Sequence, residues 1–171
     1  MSQSALTVLF LVSLLPAAPI LHAAQAPTTQ PTLKPGYWQI ITTSTTQPGD
    51  IVVQTKSFLC RSSAFDDFAA AQLKVAAPGC TTLSDTTKSN THAVLSACQT
   101  KLYTSFTSSV FAVLTATSAH AEIDTSYNPA TAGILTITHA EDETYVSACP
   151  TGMSPGDLTL SDGTVQHLWT P

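Results

Sequence analysis

The sequence predicts a mainly β protein: a single antiparallel sheet, curled or partly closed into a barrel, with one short helix and two disulfides. Three observations carry that prediction. Runs rich in β-branched and aromatic residues alternate with Gly, Pro, Asn and Asp turns along most of the chain. One segment spaces its apolar residues as a helix does. Four cysteines lie downstream of an apolar N-terminal stretch, and in an oxidising compartment an even count implies disulfides.

Residues 5–21 are almost entirely apolar, broken by Thr7, Ser13, Pro16 and Pro19. The unbroken part is shorter than the roughly 20 residues a membrane-spanning helix requires. Small residues follow in Ala23-Ala24-Gln25-Ala26, the pattern of a cleaved export signal. Residues 1–24 are therefore read as a signal peptide, with cleavage after Ala23, Ala24 or Ala26, and the expected location is periplasmic or secreted. No Lys or Arg precedes Lys34, so the terminal amine is the only cation ahead of the apolar run. The remaining chain of about 145 residues fits one domain.

Residues 25–34 are rich in Pro and Thr and read as an extended lead-in. Pro35-Gly36 marks a turn. Residues 37–43 and 51–59 then read as a hairpin around Gln47-Pro48-Gly49-Asp50, with Trp38 and Ile40 on one face and Tyr37 and Ile41 on the other. Trp38 is expected in the core, because an indole buries so much apolar area.

The helical segment starts at Ser63, read as an N-cap with Asp66 three residues on as a capping-box variant. Phe65, Phe68, Ala69 and Leu73 recur at helical spacing. Asp66 and Asp67 suit the positive first turn and Lys74 the negative last one; Pro78-Gly79 ends the element. The adjacent Asp66 and Asp67 side chains diverge on a helix, which argues against a paired acid-base role.

Residues 80–98 read as a second hairpin centred on Ser89, with a three-residue loop and Asn90 in the left-handed position that Asn tolerates. That register sets Leu83 opposite Leu95 and Cys80 opposite Cys98. A cross-strand Cys80–Cys98 disulfide follows, leaving Cys60 to pair with Cys149; four cysteines permit three pairings in all. Residues 102–106, 110–117, 119–124 and 134–139 are the remaining strands. The unbroken apolar run 110–114 is expected to be a central strand buried on both faces. Ser126-Tyr127-Asn128-Pro129 reads as a turn. After Cys149, a small hairpin around Ser161-Asp162-Gly163 is expected within a tail of residues 151–171.

Several of these residues, taken in order, resemble the DUF3617 family, a bacterial domain of unknown function usually found on exported proteins. Pro35-Gly36-Tyr37-Trp38-Gln39-Ile40 is similar to its "PG-x-W-x-I/V" opening. Residues 55–60 look like its strand ending in a cysteine before a short capped helix. Pro78-Gly79-Cys80 and Ala97-Cys98 resemble its second and third cysteines, and Ser147-Ala148-Cys149-Pro150 its closing "G-x-C-P" element. The resemblance covers residues 35–150. It departs from the family in residues 103–124, which contain no glycine. It implies a β domain and an exported location, and carries no catalytic residues.

The formal net charge is −5 and only 10% of residues are charged. Lys34, Lys56, Arg61, Lys74, Lys88 and Lys101 are dispersed. Nucleic acid and anionic membrane surfaces both demand clustered cations, so neither is an expected partner. There is no Gly-rich phosphate loop, no His-Glu-x-x-His and no Gly-x-Ser-x-Gly. No cysteines have the close spacing of a zinc or redox site. The expectation is a non-catalytic binding or accessory module of the cell envelope, without a cofactor. Its expected partner is an envelope protein or a small apolar ligand.

One pattern offers an alternative. His120-Ala121-Glu122 and His139-Ala140-Glu141 each place an imidazole and a carboxylate on one strand face. If the two strands pair, His120, Glu122, His139 and Glu141 would converge into a metal or acid-base site; otherwise they are solvent-facing polar positions. His92 and His167 read as surface or edge residues. Tyr37, Trp38, Tyr103, Phe106, Phe111 and Tyr127 either fill a core or line a sheet concavity able to take an apolar ligand.

Overall fold

The computed structural model describes residues 32–73 and 78–170. The expected signal segment, the lead-in before residue 32, and Lys74 lie outside the described residues. Nine strands form one antiparallel sheet that does not close, and a single helix among the described residues packs on it. The strands are β1 (Gly36–Gln47), β2 (Ile51–Arg61), β3 (Cys80–Lys88), β4 (Thr91–Gln99) and β5 (Thr104–Thr115), then β6 (Ser118–Thr131), β7 (Ile134–Ser147), β8 (Asp157–Thr159) and β9 (Val165–His167). Helix α1 (Ser63–Leu73) follows β2.

The order across the sheet is β3-β4-β5-β6-β7-β1-β2-β8-β9. Strands β3 to β7 form a meander, and β7 returns to pair along β1. The expected C-terminal hairpin is present as β8 and β9. It is no separate tail, since β8 pairs with β2 and extends the main sheet.

The core lies under α1. Ile40, Leu59 and Phe65 form a buried cluster, and Trp38 on the same face of β1 is 0% exposed. Phe68, Leu158 and Trp169 pack against the same cluster. The Trp169 ring sits 6.2 Å from both Phe65 and Phe68, so the C-terminal segment clamps the helix from above. Tyr37 stacks on Phe58 at 5.1 Å on the opposite face, which matches the face assignment expected for β1.

Gly36 opens β1 as part of the strand, where the sequence suggested a turn. Its φ of +144°, and a Ser147 carbonyl oxygen 2.5 Å from where a Cβ would sit, leave no room for a side chain. The close approach lets β7 run beside the start of β1. Cys60 and Cys149 are joined there, with Cα atoms 5.6 Å apart, and Cys80 is joined to Cys98 across the β3–β4 ladder.

Several local expectations give way to packing. The N-cap is Ser62: its Oγ accepts from the Phe65 N–H at 3.2 Å. Ser63 is already helical, and Asp66 turns to Arg61 instead of back to the cap. In the β3–β4 hairpin a bulge absorbs Leu83, so Leu95 faces Ser84. The loop shortens accordingly to Ser89-Asn90. Ser89, not Asn90, takes the left-handed conformation, at φ 54°. Asn90 instead donates from Nδ2 to the Val113 carbonyl at 2.7 Å.

Two further segments differ. Ser126-Tyr127-Asn128-Pro129 is inside β6, and the turn falls at Ala132-Gly133, both at positive φ. The run 110–114 belongs to an interior strand, yet only Val113 in it is buried and Leu114 is 56% exposed. The helix covers one end of one face, so an interior strand is not covered on both sides.

Candidate functional site

The sheet curls about the side that carries α1. Thr87 and His92 from one end of the strand order, and Leu160 and Asp162 from the other, line the same cleft of about 1000 Å³. Alternation along the strands decides what enters it. β1 contributes Ile40 and Thr42, β2 contributes Thr55, Ser57 and Leu59, and β5 contributes Phe111 and Val113. Phe65 of α1 and Leu158 of β8 close the apolar end.

An ion cluster stands at that end. Arg61 is 8% exposed and donates from Nη1 to Glu143 Oε2, and from Nε to Asp66 Oδ1 at 2.8 Å. Its guanidinium lies 5.4 Å from the Trp38 ring, so the Trp38 face borders the cluster from the core side. Burial pushes the Glu143 carboxyl above its ordinary range even with Arg61 beside it. Asp66 is raised for the same first cause. The pair therefore couples helix, β2 and β7 at a point that is nearly closed to water.

Further along β7 the same face carries Glu141 and His139. Thr42 donates to Glu141 Oε1 at 3.3 Å, and Ser44 Oγ lies 2.7 Å from His139 Nδ1. Glu141 is half-buried and lines the cleft.

The two His-Ala-Glu elements do sit on paired strands, but they do not converge. The β6–β7 register sets Ala121 opposite Glu141 and Ile123 opposite His139, while His120 faces Asp142 and Glu122 faces Ala140. An offset of one residue reverses every side chain. His120 and Glu122 therefore lie on the outer face, where His120 Nδ1 is 2.8 Å from Asp142 Oδ1, and His139 and Glu141 lie on the cleft side. Among the described residues, no three His, Cys, Asp or Glu side chains are grouped to hold a metal ion.

The aromatic residues divide as well. Phe111 lines the cleft, and Trp38, on the same face of β1 as Ile40, is fully buried beside the Arg61 cluster. Tyr37 and Phe106 lie on the outer face, Phe106 being 46% exposed. Tyr103 and Tyr127 meet edge to face at 5.4 Å. His92, expected at a surface, is half-buried in the cleft wall and bonded to Asp85 at 2.7 Å. Sequence patterns did not single out Arg61 or Glu143. The available signal was that Arg61 directly follows a strand-ending cysteine and that Glu143 shares its strand face with Glu141 and Tyr145.

The cleft's outer wall depends on the C-terminal hairpin, and Asp157 holds that hairpin. Its Oδ2 accepts from the Ser154 N–H at 2.7 Å and its Oδ1 lies 2.6 Å from His167 Nδ1. These bonds, the Ser154 one foremost, keep its carboxyl below the ordinary value. A carboxylate depressed in the folded state contributes stability that is complete above its unfolded value, about 4, and is lost as pH falls through the folded value. Asp157→Asn should therefore flatten the acid limb of the melting-temperature profile below about pH 4. A limb of unchanged slope in that variant would remove Asp157 as its source.

Compared with protein-family models and with curated proteins, the chain matches none.

Proposed function

We propose that this chain is an exported, non-catalytic binding module of the bacterial cell envelope that takes a small apolar ligand into its cleft. The observation that carries the reading is the cleft of about 1000 Å³, one-sided, open, and walled by Ile40, Leu59, Phe65, Phe111, Val113 and Leu158. Sites for small ligands have this size and this mix of apolar walls with a few polar groups. Two disulfides agree with an oxidising compartment. Among the described residues no helix is long and apolar enough to cross a membrane. The ordered motifs from Pro35-Gly36 to Cys149-Pro150 support membership of the DUF3617 family as part of the same proposal.

A neutral fluorescent probe such as N-phenyl-1-naphthylamine tests the cleft. Thr55 is exposed on β2 and lines the cleft opposite Thr42. Thr55→Trp adds bulk there without removing a core contact, and should weaken the probe about tenfold while leaving the melting temperature within a few degrees. Saturable binding that Thr55→Trp leaves intact would place the ligand elsewhere; no binding by the native protein would end the reading. Export is tested separately by Edman sequencing of protein recovered from outside the cytoplasm: a start at Ala24, Gln25 or Pro27 is expected, and an intact Met1 would refute the signal.

A further inference from the structure

The cleft is not electrically neutral, and its imbalance sits at one place. The cationic residues that line it are Lys56 and Arg61, against the carboxylates of Asp66, Asp67, Glu141, Glu143 and Asp162. Neither cation is free to serve the cleft's open part. Lys56 lies opposite Ile41 on the outer face, where its ammonium sits 5.0 Å from the Phe58 ring. Arg61 is consumed by Glu143 and Asp66. Glu141 forms no ion pair among the described residues. Its hydrogen-bond partner is the Thr42 hydroxyl, which donates to Oε1 at 3.3 Å, and among the described residues Oε2 accepts no side-chain bond.

Glu141 also stands at a chemical boundary. Its β1 neighbour across the ladder is Thr42, and Thr55 flanks Thr42 in turn. On its other side are Ala121 and, beyond it, Phe111. Toward α1 the wall becomes Ile40, Leu59 and Phe65. A half-buried carboxylate with hydroxyls on one side and an apolar wall on the other matches a molecule that is charged at one end and greasy along its length. In partly desolvated surroundings, attraction between opposite charges exceeds its value in bulk water.

We infer that the cleft selects cationic amphiphiles, with a primary ammonium or guanidinium on Glu141 and an apolar tail along Ile40, Phe65 and Phe111. This rests on the proposal that the cleft binds a small apolar ligand and adds the charge of that ligand. Among the described residues, an anion of the same shape would meet Glu141 and Asp162 with no Lys or Arg free on the cleft side to receive it.

Three probes of equal chain length separate the two ideas: decylammonium, decanol and decanoate, titrated calorimetrically at pH 7 below their micellar concentrations. Decylammonium should bind about tenfold more tightly than decanol, and decanoate more weakly than either. Glu141→Gln keeps the size of the side chain and should bring decylammonium down to the affinity of decanol while leaving decanol unchanged. High salt should narrow the native difference in the same direction. Equal affinities for all three probes would overturn the charge selection and leave the cleft proposal standing. A preference for decylammonium that survives Glu141→Gln would overturn the assignment to Glu141. No binding of any probe would overturn both.

Discussion

Arg61→Met should destabilise the protein by about 3–5 kcal/mol, because it leaves Glu143 buried without its counter-charge. Arg61 is 8% exposed and Glu143 7%, so neither is reached by enough water to compensate. The double variant Arg61→Met/Glu143→Leu should recover most of that loss, since an apolar pair of similar volume often replaces a buried ion pair at little cost. The sign with pH is also determined. Burial already raises the Glu143 carboxyl, and removing Arg61 raises it further. A carboxylate whose folded value lies above its unfolded value favours folding least once it is ionised. The deficit of Arg61→Met should therefore be smaller near pH 5 than at pH 8 in urea denaturation. A deficit that is constant across this range, or a double variant no better than the single one, would show that Arg61 acts through packing on Trp38 instead.

Removing the Cys60–Cys149 bond by Cys60→Ala/Cys149→Ala should cost more than removing Cys80–Cys98. The first pair is 89 residues apart in sequence and the second 18. In the loop-closure model these spans correspond to about 4.5 and about 3 kcal/mol of constraint on the unfolded chain. The native state adds to the contrast. Cys60 is 0% exposed and its bond closes over the start of β1, where Gly36 admits β7 closely. Cys80 and Cys98 sit half-exposed on an outlying hairpin. Mild reduction should open Cys80–Cys98 first, with the fold retained, and loss of near-ultraviolet dichroism should follow only the second bond. Equal losses of stability for the two pairs would contradict the argument.

The hairpin of β1 and β2, the face assignment of Trp38 and Tyr37, the helix and the Cys80–Cys98 disulfide were legible because each is a local pattern, and Cys60–Cys149 followed as the remaining pair. Alternation fixes faces within a strand, and hairpin register brings Cys80 to Cys98. The errors also share a cause. Leu83 drops into a bulge, Ser62 caps in place of Ser63, and residues 126–129 continue a strand. In each case a choice of one or a few residues was made by competing partners that propensity and spacing do not rank, cross-strand neighbours for Leu83 and residues 126–129 and nearby groups for the helix start. Asp66 abandons the capping box because Arg61 offers it a stronger, charge-assisted bond.

The candidate site shows the same division more sharply. Glu141 and His139 were visible as chemistry-bearing residues, and so were His120 and Glu122. Which of them share a surface depended on the β6–β7 register, and a single step there sends one pair into the cleft and the other to the outer face. Arg61 and Glu143 are separated by 82 residues, and no periodicity links them.

By itself the sequence determined the class of fold, the faces of β1 and the Cys80–Cys98 pair, with Cys60–Cys149 left as the remainder, because propensity, alternation and hairpin pairing act over a few residues. Only the tertiary structure decided that β7 returns to β1, that β8 and β9 extend the sheet, and that both ends of the strand order line one cleft. Those outcomes depend on strand order and curl, which arise when the apolar faces of distant segments are buried together under one helix.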